Sequence, residues 1–187
     1  LYCIYALVLM CLMVAKNKDI QFVHCASAFF ASLALPFAFL CFLRLNNLSD
    51  WFSAYTHHEG VYFVGLGFSC SWFTDTFAYL VGRKFGKHKL CPKISPKKSV
   101  EGAIGGIVGA VLLNVLLLFV FKKFLGGGAG FSYIVVIILS VILSVVSMFG
   151  DLAASTIKRN FGIKDFGNLL PGHGGIMDRC DSLLFVM

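Results

Sequence analysis

Long apolar runs broken by short polar clusters set the pattern of this chain. Hydropathy predicts helices over residues 1–15, about 20–43, about 60–82, about 100–121 and about 131–150, with a last one starting near 183. The polar stretch 151–182 predicts a re-entrant or interfacial segment. Backbone amides in lipid need internal partners, and runs this long are not the short alternating strands of a barrel. The predicted class is therefore all-α: a polytopic transmembrane helical bundle. Gly102, Gly105, Gly106 and Gly109 form two overlapping small-xxx-small patterns, which predict close packing of the fourth helix against another. Gly126-Gly-Gly-Ala-Gly130 predicts a flexible turn.

Composition strengthens the membrane reading. Only 13% of the 187 residues are charged and mean hydropathy is +0.84, whereas a soluble domain carries about 25% charged residues. The net charge of +7 would suit nucleic acid, but its distribution argues against that partner. Seven of the sixteen Lys and Arg lie within 83–98, a loop between apolar segments. Such loops mark the cytoplasmic side of a membrane and attract anionic headgroups or phosphates. With 83–98 inside, alternation also places Lys16, Lys18, Lys158, Arg159, Lys164 and Arg179 inside, while Lys122 and Lys123 fall outside as exceptions. The polar segments thus share the compartment that holds soluble nucleotides. The seven cysteines contain no C-x-x-C pair and read as small buried hydrophobes. Both ends fall within apolar runs, so the expectation is a piece of a longer protein. Residues 1–187 read as one integral-membrane catalytic domain, with N-terminal helices over 1–60 and the catalytic part over 61–187.

The candidate chemistry lies where ionisable residues crowd a membrane boundary, an expensive placement that marks function. Asp151, Ser155 and Lys158, at spacings of four and three, share a helical face with Arg159 alongside. That face can receive a metal and a phosphate, or it can be a solvated helix end. Asp178 and Asp181 repel each other unless a cation, or Arg179 between them, intervenes; a divalent ion bridging them and Asp151 is the sharper reading. Pro171-Gly-His173-Gly174-Gly175 offers backbone N–H groups for an anion, and His173 can donate to a phosphate or simply pack the turn. Asp75 lies inside the third apolar segment and needs a polar partner: a metal, a substrate headgroup or a lysine. Tyr79 and Arg83 continue its face. Ser99 predicts an N-cap with Glu101 in the first turn, and a helix N-terminus beside Lys97 and Lys98 is a phosphate site. His57-His58-Glu59 lacks metal-ligand spacing.

The run Ser155-x-x-Lys158-Arg159-x4-Lys164-Asp165-x-Gly167-x3-Pro171-Gly-His173-Gly174-Gly175-x-x-Asp178-Arg179-x-Asp181 resembles the motif of the phosphatidate cytidylyltransferases, also called CDP-diacylglycerol synthases. Asp75-Thr-Phe-Ala-Tyr79 and Lys93-Ile-Ser-Pro-Lys97-Lys98-Ser99-Val-Glu101-Gly102 are similar to its upstream segments, so the resemblance covers about residues 65–182. It implies a polytopic enzyme of a bacterial inner membrane that converts CTP and phosphatidic acid to CDP-diacylglycerol and pyrophosphate. It also implies a homodimer, Mg²⁺, and a second, monovalent cation such as K⁺. Carried onto this chain, the metal ligands are Asp151, Asp178 and Asp181. The catalytic set is Lys158, Arg159, Lys164, Asp165, His173 and Arg179. Asp75, Lys97, Lys98, Ser99, Ser155, Gly174 and Gly175 are the expected substrate contacts. A CTP-dependent kinase of polyprenol or phytol type is the alternative, since it shares membrane helices, basic loops and Mg²⁺ but transfers the γ-phosphate. A channel or transporter would explain Asp75 and the small-residue helix, but not Lys158 through Asp181.

Overall fold

Apolar runs of this length satisfy their own amides by coiling, and the computed structural model is built from long helices. It describes residues 22–47, 57–92, 95–125, 132–163 and 165–167, with single positions near each end, among them Ser182. The described elements are α1 (Phe22–Asn46), α2 (His57–Phe85), strands β1 (Lys89–Cys91) and β2 (Ser95–Ser99), α3 (Val100–Leu125) and α4 (Tyr133–Asn160). Among the described residues, Val100–Phe124 and Tyr133–Asn160 are long and apolar enough to cross a membrane, by length and composition. The chain divides into two units, residues 1–41 and 42–187. In the first, the rings of Tyr5 and Phe29 stack with centroids 6.4 Å apart.

The small-residue pattern packs as expected. A Cβ added to Gly102 would stand 2.6 Å from the Ala78 carbonyl oxygen, and one on Gly106 would stand 2.7 Å from that of Thr74. Only glycine lets α3 lie with its backbone directly on α2. At one end of this contact is an apolar cluster. Tyr62, Leu66 and Cys70 of α2 meet Leu118 and Phe121 of α3 and Val136 of α4, and the Tyr62 and Phe121 rings are 5.0 Å apart. Next to it sits a polar knot. Asn114, wholly buried, accepts from Ser69, and its amide reaches Cys70 Sγ at 3.0 Å and Ser140 Oγ at 3.1 Å. This side chain ties α2, α3 and α4 together. Interhelical bonds of this kind contribute about 0.6–2 kcal/mol in lipid.

Two expectations change. The loop expected over 83–98 contains strands: β1 and β2 pair as an antiparallel hairpin, Lys89 opposite Ser99 and Cys91 opposite Ser95. The hairpin is clamped at its base. The Glu101 carboxylate accepts from the Lys87 and His88 amides at 3.1 and 3.2 Å and lies 2.6 Å from His88 Nδ1. Ser99 caps α3 as predicted, its hydroxyl accepting from the Gly102 amide at 3.2 Å. The fifth predicted helix does not end near 150 but continues as α4 to Asn160. Asp151-Leu-Ala-Ala-Ser-Thr-Ile-Lys158 is polar yet helix-forming, so hydropathy falls where helicity does not. The helix stops at Gly162, whose φ of +67° permits a Schellman ending. There the Gly162 amide donates to Arg159 O and the Ile163 amide to Lys158 O, at 3.1 and 3.0 Å.

The glycine contact sets a measurable asymmetry. Gly106→Val should destabilise the purified protein by about 1–3 kcal/mol, the usual range for overpacking, read as a lowered Tm in detergent. Gly65→Ala, whose added Cβ meets nothing within 4 Å, should leave Tm unchanged or raised. Equal losses in the two variants would contradict the packing described.

Candidate active site

The C-terminal halves of α2 and α4 and the N-terminus of α3 end beside the hairpin, and between them opens a cavity of about 420 Å³. Each wall has a local cause. The i, i+4 period of α2 puts Asp75 and Tyr79 on one face; both line the cavity, and the Tyr79 hydroxyl accepts from Arg83 Nη1 at 3.4 Å. The hairpin supplies Ser95, Lys97, Lys98 and Ser99. The continued helix α4 supplies Asp151 and Lys158, and the residues after its Schellman ending supply Asp165. Three lysines thus face three carboxylates in one concave space.

The central contact is an ion pair between Lys98 and Asp151, each side chain about a quarter exposed, at 25% and 23%. It links the hairpin to α4 across the cavity. Lys158, on the cavity wall, places its ammonium over the Phe166 ring, 5.1 Å from the centroid. Deeper in, Asp75 Oδ2 accepts from Ser182 at 3.1 Å, and Ser182 Oγ lies 2.8 Å from Ser71 Oγ.

Of the expected site residues, the fold brings Asp75, Lys97, Lys98, Ser99, Asp151, Lys158 and Asp165 to one cavity. Ser155 and Arg159 belong to α4 but are not among the lining residues. Lys164, His173, Gly174, Gly175, Asp178, Arg179 and Asp181 lie outside the described residues. Leu90, Ser95 and Met148 line the cavity without having been anticipated. Ser71 and Ser182 were also missed, although Ser71 stands one helical turn before Asp75 and Ser182 directly follows Asp181. Among the described residues no group of three or more His, Cys, Asp or Glu side chains is set to hold a metal. The donor chemistry nevertheless fits Mg²⁺, which favours carboxylate oxygens and takes only one or two from the protein. Asp151 is partly exposed on the wall and already holds a cationic group, the Lys98 ammonium.

The cavity is walled by lysines and carboxylates, and two of the helices around it are long and apolar enough to cross a membrane. Residues 1–187 match the cytidylyltransferase family, and the chain belongs to it. It is 43% identical over 132 residues to the phosphatidate cytidylyltransferase of Staphylococcus haemolyticus (strain JCSC1435), a stretch covering 71% of this chain and 48% of that protein. The protein of the same name from Staphylococcus saprophyticus is 44% identical over 132 residues, with the same coverage. That of Staphylococcus aureus (strain COL) is 40% identical over 134 residues, again with 71% and 48% covered. The chain spans about half the length of the curated relatives it matches.

The Lys98–Asp151 pair should be measurable as a coupling. Lys98→Met and Asp151→Asn should each lower Tm in metal-free buffer, and the double variant should lose less than the sum, with an interaction energy of about 0.5–3 kcal/mol. Additive losses would mean that the two side chains do not hold each other.

Proposed function

We propose that this chain is the catalytic part of a phosphatidate cytidylyltransferase, which transfers CMP from CTP to phosphatidic acid and yields CDP-diacylglycerol and pyrophosphate. The observation that carries the proposal is the meeting of Lys97 and Lys98 with Asp151, Lys158 and Asp165 on one cavity. A phosphate monoester is a nucleophile at neutral pH, so the reaction needs no protein nucleophile. An oxygen of phosphatidic acid attacks the α-phosphorus of CTP in line, the bond to the bridging β-phosphate oxygen breaks, and pyrophosphate leaves. Catalysis is then positioning and charge neutralisation.

Each residue has a task in that scheme. Lys97 and Lys158 neutralise phosphate oxygens at opposite walls, and Lys98 turns from Asp151 to a phosphate when substrate enters. The N-terminus of α3, capped by Ser99, adds its partial positive charge. Arg159, Lys164 and Arg179 would hold the triphosphate, with the Gly174 and Gly175 amides and His173 as further donors to its oxygens. Ser155 and Asp165 orient the nucleotide. Asp151, Asp178 and Asp181 would hold Mg²⁺ and a monovalent cation such as K⁺, which supply charge stabilisation at the phosphates. Around this site we read a polytopic bundle in a bacterial inner membrane, acting as a homodimer. The basic hairpin and the polar end of α4 face the cytoplasm, as the distribution of Lys and Arg supports.

The test uses the full-length protein in detergent–lipid micelles with phosphatidic acid, Mg²⁺ and CTP labelled at the α-phosphate. Wild type should move label into the lipid phase. Lys158→Ala should lower kcat by about 10²–10³, the loss seen on removing one transition-state donor, and Asp178→Asn should lose at least as much. Label that stays in water as CDP would move the assignment to a CTP-dependent kinase or hydrolase.

A further inference from the structure

Tyr79 and Arg83 continue the face of Asp75 along α2, and the chemistry above leaves both unused. Trp72, Thr76, Tyr79 and Arg83 follow one another at spacings of four, three and four, so they form one stripe on the helix. The stripe is exposed throughout: Trp72 is 57% and Tyr79 63% exposed, and Leu80 beside it 53%. Tyr79 also lines the cavity, so it belongs both to that space and to an outer face of α2. Thr76 adds no polar demand between the aromatic rings, because its hydroxyl donates to the Trp72 carbonyl at 2.7 Å. Phe68 meets the Trp72 ring edge-on, with centroids 5.6 Å apart. At the polar end of the stripe, Arg83 Nη1 donates to Tyr79 Oη at 3.4 Å. Among the described residues no carboxylate pairs with Arg83, whereas Asp151 holds Lys98. A guanidinium carries five N–H donors, and one phenol leaves most of them for a ligand.

A phospholipid that reacts in the cavity must bring its phosphate to the lysines while its acyl chains stay in apolar surroundings. It needs an apolar exposed face that borders the cavity and ends in a cation. The stripe from Trp72 to Arg83 offers that over about 16 Å of helix, at 1.5 Å per residue. Its Trp and Tyr are the residues that settle at the headgroup level of a membrane. Phosphate chemistry adds a selection. A phosphate monoester carries about −1.5 to −2 charges at pH 7 on three terminal oxygens, whereas a phosphodiester headgroup spreads a single charge over two. The planar guanidinium fork suits paired oxygens of high charge. We propose that Arg83, steadied by Tyr79, binds the phosphate monoester headgroup of phosphatidic acid at the edge of the cavity, with the acyl chains along Trp72 and Leu80. The proposal rests on the cytidylyltransferase reading and divides the labour within it. The triphosphate falls to the lysines of the hairpin and α4, and the lipid falls to α2.

Two measurements on the full-length protein test this, one of binding and one of turnover. Brominated acyl chains quench tryptophan fluorescence on contact. In phosphatidylcholine vesicles containing brominated phosphatidic acid, wild type should show quenching that Trp72→Phe removes. The same mole fraction of brominated phosphatidylglycerol, a diester, should not reproduce it. Arg83→Met should raise the phosphatidic acid content needed for half-maximal quenching, and the KM for phosphatidic acid, each by about 10- to 100-fold, as for lost charge-assisted hydrogen bonds. The KM for CTP and Tm should stay near wild type. Arg83→Lys, which keeps the charge without the fork, should recover part of the loss. Tyr79→Phe should show a smaller loss in the same direction. Should Arg83→Met fail to fold, those two milder variants must still weaken phosphatidic acid and spare CTP. A raised KM for CTP instead would give Arg83 to the nucleotide phosphates and overturn the proposal. Equal quenching by phosphatidylglycerol would overturn it as well, because attraction would then be general to anionic lipid. So would an absence of quenching at Trp72, the mark of a face covered by the rest of the chain or by a second copy. Quenching as expected in a wild type that moves no label from CTP into lipid would uphold the lipid site and remove the cytidylyltransferase reading instead.

Discussion

Two backbone carbonyls, those of Thr74 and Ala78, lie against Gly106 and Gly102 with no room for a side chain, and the polar end of the molecule follows from that contact. Because α3 approaches α2 so closely, its capping residue Ser99 comes to rest beside Gly82, where a Cβ would stand 2.8 Å from the Ser99 hydroxyl. The strand leading into that cap has to fold back over the end of α2. Lys97 and Lys98 precede Ser99 directly, so their place on the cavity wall is a consequence of helix packing. A bulkier residue at either glycine would move the hairpin and the helix N-terminus together.

Charge balance is the second constraint. Lysines gathered on one cavity wall need compensation, and at a membrane boundary an uncompensated cation is costly. The Lys98–Asp151 pair meets that need while joining the hairpin to α4. Both partners line the cavity and each side chain is about a quarter exposed, so the pair lies where an entering ligand can meet it. The Asn114 knot, by contrast, is wholly buried and satisfied within the protein. It stabilises the helices without offering anything to a ligand.

Much of this was legible in the residues, for local reasons. Apolar runs, small-residue spacing and the Ser99 cap depend on short stretches of chain, and so does the shared face of Asp151 and Lys158. Hydropathy failed at residue 150 because it reports preference for solvent, while the helix continues on propensity. Gly162 was the available stop signal, since a left-handed position favours glycine. The hairpin was harder to see. Ser-Pro-Lys-Lys-Ser has little strand propensity, and β2 is held instead by Glu101, which accepts from the amides where the chain enters β1. Ser182 carried no signal by itself. Its importance comes from a contact across 107 residues, which no local pattern contains.

That clamp bears on what the basic segment is for. A loop that only marked the cytoplasmic side, or drifted against anionic lipid, would work equally well as a flexible chain, because such attraction depends on charge and not on geometry. Ordering a residue costs about 1–2 kcal/mol of backbone entropy. In this protein that cost is met during folding, by strand pairing, the Ser99 cap and the bonds to Glu101. A ligand that binds the hairpin lysines would meet a backbone already ordered, and less binding energy would go into ordering it. A site that holds phosphates in one orientation gains from such rigidity, whereas general attraction to anionic lipid does not need it. Geometry at the hairpin thus favours recognition of a defined polyphosphate over general attraction to the membrane surface.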